Sequence, residues 1–153
     1  MKIKTMALLM VGCLAGVTIF AADQQIGTWK LNEAKSKLNP AGTKNTTVVY
    51  EAVGDDVKVT VEGTGPDGKA FQSTWTGKYD GKDYPVTGDP MSDTRSYTKV
   101  DDRTLTFSAK KDGKVTISGK IVVAADGKSR TVTTSGTDAK GHKVSMTSLY
   151  DKQ

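Results

Sequence analysis

The chain predicts an all-β fold: an antiparallel up-and-down meander of about 8–10 strands closed into a barrel, with one short helical segment after the first strand. Three observations predict it. Apolar and polar residues alternate with a period of two through most of the chain, the pattern of half-buried strands. The tripeptide Asp-Gly-Lys recurs at Asp67, Asp80, Asp112 and Asp126, and Asp-Gly between alternating runs signals hairpins, because a type I′ turn needs positive φ at both central residues. The connections are too short for crossover helices, so neighbouring strands run antiparallel. An open meander has two exposed edges, and closure removes them.

The elements follow in order. Lys2 and Lys4 precede an apolar run over 6–20, and Ala21-Ala22 supplies small residues for cleavage, the layout of a signal peptide over 1–21. The run falls short of the ~20 residues that span a bilayer as a helix, and no second apolar segment follows, so the mature chain carries no transmembrane segment. A retained N-terminal anchor and lipidation at Cys13 are the alternatives; against the second, the run stays apolar after the cysteine. Residues 22–153 form a single domain. The net charge of +5 falls by two lysines, to +3, on cleavage, and the only cysteine is lost. The domain therefore holds together without a disulfide. Its apolar share is about 30% without glycine, against ~45–50% with glycine in globular domains. A core that thin suits a barrel with small or polar interior residues.

The first strand is Gly27-Thr28-Trp29-Lys30-Leu31, and 32–38 forms one or two helical turns, with Asn32 as N-cap and Pro40 beyond the end. Further strands are expected over 46–52, 57–62, 71–79, 84–87, 95–100, 104–110, 115–123, 130–136 and 144–150. Phe71, Trp75, Tyr97, Phe107, Ile117 and Met146 lie on the inward faces of their strands and should share one interior. Tyr97 is the weakest of these, because its strand alternates poorly. Ser73, Gly77, Gly119 and Ser148, small residues among large ones, could leave a lumen, with Arg95 and Tyr97 as polar handles. The segment 80–91, with Tyr84, Pro85 and Pro90, lacks a simple two-strand logic. It reads as a rigid bend at a barrel corner or as a lid over the mouth.

No catalytic constellation stands out. His142 is the only histidine, which excludes a histidine pair and a histidine-rich zinc site. It reads as a solvated turn residue. The serines have no partner base, and no calcium-loop motif occurs. No metal and no cofactor are expected. Lysines spread over turns and outward positions give no basic stripe for nucleic acid.

Gly27-Thr28-Trp29 near the start of an all-β chain of this size resembles the first-strand signature of calycins, the lipocalin and fatty-acid-binding-protein group. That resemblance implies a tryptophan closing one barrel end, with an arginine from a late strand packed over it. Gly27, Trp29 and Arg130 take those places here. More of the chain resembles small exported bacterial proteins described as lipocalin-like. The similar segments are Gly27-Thr28-Trp29-Lys30-Leu31-Asn32, Lys35-Ser36-Lys37, Asp80-Gly81-Lys82-Asp83-Tyr84-Pro85-Val86-Thr87-Gly88, Gly136-Thr137-Asp138-Ala139 and Tyr150-Asp151-Lys152-Gln153. This implies a barrel in a periplasmic or secreted setting and no established activity. A haem ligand is the alternative use of His142, but the chain lacks the Gly-rich N-terminal pattern of haem-binding barrels of nitrobindin type. Two functions remain: a non-enzymatic barrel holding a small apolar or amphipathic ligand, or an envelope interaction protein with a filled barrel.

Overall fold

The computed structural model describes residues 23–40, 42–137 and 140–153. The expected signal peptide and Cys13 lie outside the described residues. Ten strands follow one another along the chain: β1 Gly27–Leu31, β2 Lys44–Val53, β3 Asp56–Thr64, β4 Ala70–Gly77, β5 Tyr84–Thr87, β6 Thr94–Lys99, β7 Thr104–Lys111, β8 Lys114–Val123, β9 Ser129–Thr137 and β10 Lys143–Lys152. Each pairs antiparallel with its sequence neighbours, and β1 pairs with β10 through Trp29↔Lys152, Lys30↔Asp151 and Leu31↔Tyr150. The sheet thus closes, and no edge is left unpaired.

Alternation decides which way each strand faces. Val59, Val61, Trp75, Tyr97, Ile121 and Val123 are buried, and they join Trp29, Val48, Tyr50, Leu105 and Tyr150 in one core. The outward positions carry short hydroxyl side chains. Ser96, Ser108, Ser118, Ser135 and Ser145 stand in register across β6 to β10. This is why so β-rich a chain has so few apolar residues.

The helical segment is shorter than expected. A single 3-10 turn, Glu33–Lys35, is capped by the Asn32 side chain, which accepts from the Lys35 amide. It stops there because Lys37 pairs back onto Thr147 of β10 and the Ser36 hydroxyl accepts from the Leu149 amide at 2.8 Å.

The Asp-Gly-Lys turns are of more than one kind. Only Asp112 has positive φ, at 50°, followed by Gly113 at 77°, so the type I′ expectation holds at that hairpin alone. At Asp67 and Asp126 only the glycine is left-handed. There the Asp carboxylate accepts from the amide of the following lysine at 3.0 Å, and a wider turn results. Asp80 is not a hairpin residue at all. It bridges to Thr98, and Gly81 donates to the Tyr97 carbonyl.

Candidate functional site: a lumen open at one end

The barrel encloses a cavity of about 760 Å³, within the range typical of small-molecule sites. Every loop that contributes to its lining joins an odd strand to the following even one: Leu38 and Thr43 between β1 and β2, Pro66 between β3 and β4, Asp89, Met91 and Ser92 between β5 and β6, and Lys140 and His142 between β9 and β10. These loops form the mouth. The opposite end is shut.

The floor is built around Arg130, which is 2% exposed. Its guanidinium lies 4.7 Å from the Trp29 ring, 4.7 Å from Tyr50 and 5.2 Å from Tyr150. Gln25 locks this group: its carbonyl accepts from Trp29 Nε1 at 2.8 Å, and its side-chain oxygen accepts from Arg130 Nη1 at 3.3 Å. Among the described residues no carboxylate pairs with Arg130, so its charge rests on three aromatic faces. Gly27 sits beside them with φ of 131°, where a Cβ would meet Lys152 Cε at 2.7 Å. Gln25 carries no pattern that sequence reasoning could use, because it precedes the first strand.

Phe71, Arg95, Tyr97, Phe107, Ile117 and Met146 all line the cavity. Trp75 does not, which corrects its expected place. It is 1% exposed and lies behind Tyr97, with ring centroids 4.7 Å apart and its Nε1 donating to the Arg95 carbonyl at 2.8 Å. Tyr97 is the hub of the aromatic cluster, touching Tyr50, Trp75, Tyr79 and Phe107.

The glycines do not form the lumen. A Cβ on Gly119 would meet Phe107 at 2.7 Å, and one on Gly77 would meet Tyr84 at 2.5 Å. Each glycine is a seat for a ring from a neighbouring strand. Ser73 and Ser148, in contrast, do line the space. The described residues leave this space between them, where the filled-barrel form of the envelope reading expects none.

One ion pair is built into the wall. Arg95 Nη2 lies 2.7 Å from Asp89 Oδ2, with the two side chains 13% and 9% exposed. The same carboxylate holds its own loop, accepting from the Ser92 hydroxyl at 2.6 Å and the Met91 amide at 2.8 Å. Arg95 Nη1 reaches the Tyr97 hydroxyl at 3.4 Å. Burial, then the Tyr97 phenol, pushes the Tyr50 phenol above its ordinary range. Burial likewise pushes Tyr150 up to about 12 against the Arg130 charge, which pulls it down. Tyr50 and Tyr150 are therefore neutral at ordinary pH, and the Tyr150 hydroxyl donates to the Asn45 carbonyl at 3.0 Å.

The lid reading is corrected for two of its three residues. Tyr84 and Pro85 belong to β5, a wall strand: Tyr84 packs edge-on against Trp75 at 5.7 Å, and Pro85 pairs with Thr94. Their four-residue strand fits the barrel because Gly77 leaves room for the Tyr84 ring. Pro90 alone lies in a mouth loop. His142, expected as a solvated turn residue, is exposed at that mouth. Among the described residues no cluster of acidic, histidine or cysteine side chains could hold a metal ion, and no helix is long and apolar enough to cross a membrane.

The fold and site define a lipocalin-like barrel with a lumen open at one end. No family model and no curated relative matches the chain. Solved structures do. EF1p2_mFAP2b bound to DFHBI is similar with a TM-score of 0.50 at 14% identity, over 87% of this chain and 97% of that one. A redesigned β-barrel, mFAP1, bound to DFHBI, gives 0.46 at 16% identity, over 84% and 95%. Apocrustacyanin C1 gives 0.45 at 12% identity, over 86% of this chain and 62% of that one. At such identities the likeness is one of fold.

Proposed function

We propose that this chain is an exported, non-enzymatic β-barrel that takes a small apolar or amphipathic molecule into its interior. The single observation behind the reading is the cavity of about 760 Å³, open at one end and walled by Phe71, Phe107, Ile117 and Met146. A ligand that leaves water for that wall buries apolar surface on both sides, worth roughly 25 cal/mol per Å². A barrel of similar fold, EF1p2_mFAP2b, is bound to DFHBI, which is in keeping with the reading. The export part rests on residues 1–21 and implies a periplasmic or secreted location in a bacterium. Phe71, Arg95, Tyr97, Phe107, Ile117 and Met146 are the contacts we assign to the ligand, and Gly27, Trp29 and Arg130 close the far end. A native mass spectrum of the protein purified from its own compartment tests this. A bound small molecule released on activation is the expected result, whereas a mass of the bare chain that no added apolar ligand changes would overturn the reading.

A further inference from the structure

Two arginines line the lumen, and neighbours engage both. Arg130 lies under three rings, with Nη1 given to Gln25. Arg95 is paired at 2.7 Å with Asp89, a residue of the mouth loop that itself lines the cavity. Asp89 thus occupies the place beside Arg95 that the acid group of a ligand would take. Its loop amide and hydroxyl bonds hold it there. A carboxylate brought to Arg95 would find that cation engaged and a like charge beside it, and Arg130, 2% exposed with its guanidinium against three rings, has little surface to offer it. At the rim, Lys44 is paired with Glu33 at 3.2 Å, and Lys140 and His142 are exposed in the solvated mouth, where salt screens charge. A neutral oxygen acceptor meets no such obstacle. Arg95 has five N–H groups, of which Asp89 and Tyr97 take two.

We infer that the lumen selects uncharged amphipathic ligands over acids, and that Asp89 is the residue that sets this preference. The inference rests on the ligand-binding reading above. Asp89 acts as an internal counter-ion: it cancels Arg95 in the empty barrel and so removes the reward for a ligand's negative charge.

Matched probes test it at pH 8, where acids are ionised. N-phenyl-1-naphthylamine and 8-anilinonaphthalene-1-sulfonate differ by one sulfonate, and both brighten in apolar sites. Dodecan-1-ol and dodecanoate, as competitors, differ only at the head group. The wild-type barrel should bind the neutral member of each pair at least about tenfold more tightly. Asp89→Asn should reverse the order by freeing Arg95 for the acid. The double variant Asp89→Asn with Arg95→Gln should restore the neutral preference. Equal or tighter binding of dodecanoate by the wild type would overturn the inference, and needs no variant to fold. So would an unchanged ratio in an Asp89→Asn protein that keeps its far-ultraviolet circular dichroism. Failure of all four probes to bind the wild type would instead remove the ligand-binding reading, and this inference with it.

Discussion

Arg130 offers the sharpest test of how the barrel is shut. Its guanidinium faces Trp29, Tyr50 and Tyr150 at 4.7, 4.7 and 5.2 Å. Each such contact is worth roughly 0.5–2 kcal/mol. Taking about 1 kcal/mol for each, the three sum to ~3 kcal/mol. The 3.3 Å bond to Gln25 adds about 1 kcal/mol. Against this stands the cost of burying a guanidinium with no carboxylate partner, several kcal/mol for an isolated ion. Arg130→Ala and Arg130→Met separate the two sides. Alanine loses the ring contacts and opens the floor to the lumen, and should cost about 3 kcal/mol. Methionine keeps most of the volume and sheds the desolvation cost, and should cost about half as much. Urea unfolding measures both, and a Trp75→Phe background isolates Trp29 emission, which should move to the red in the alanine variant as water reaches the indole. An alanine variant within about 0.5 kcal/mol of wild type, the ordinary range for surface changes, would refute the reasoning. A methionine variant more stable than wild type would show that the rings do not offset the buried charge.

Three further outcomes follow from the same structure. Gly119→Ala drives a Cβ to 2.5 Å from the Thr133 carbonyl and 2.7 Å from Phe107, and should cost about 1–3 kcal/mol by overpacking. Combined with Phe107→Ala the two losses should be less than additive in a double-mutant cycle, and strict additivity would contradict the ring-seat assignment. Burial raises the phenols of Tyr50, Tyr79 and Tyr150, the last to about 12. Folding favours their neutral forms, so their contribution is fully present below the unfolded value near 10 and is lost as pH rises from there through 12. Absorbance at 295 nm should show these tyrosines ionising only with unfolding; full titration at pH 10 in a folded barrel would contradict this. N-terminal sequencing of the exported protein should begin just after Ala21 or Ala22, and an intact Met1 or a lipid on Cys13 would end the export proposal.

Most strands were legible because they carry their own two-residue period, from Val57-Lys58-Val59-Thr60-Val61-Glu62 to Val115, Ile117, Gly119, Ile121 and Val123, while β6 alternates poorly. Even β5, four residues long, is marked by Tyr84 and Val86 flanked by turn residues. The pairing of Trp29 with Arg130 was legible only through resemblance, since nothing local joins residues a hundred positions apart. What stayed hidden is three-dimensional in origin. Trp75 and Tyr97 both read as inward, but only the packed barrel shows that Tyr97 lines the lumen while Trp75 meets it edge-to-face from behind. A glycine on an inward face reads as empty space, and the ring that fills it comes from the next strand. The Asp89–Arg95 pair joins a loop to a strand interior, and turn chemistry accounts for an aspartate beside Pro90 without any need of a partner.

The central claim is that a ligand occupies the interior of the barrel. Residues 22–153 contain two methionines, Met91 and Met146, and both line the cavity, one at the mouth and one on the wall. Carbon-13 methyl labelling of methionine in residues 22–153 therefore gives two resonances, each reporting on the lumen. Titration with N-phenyl-1-naphthylamine should shift both, saturably, at one equivalent. A probe that binds while both methyl signals stay in place would put the ligand elsewhere and contradict the account.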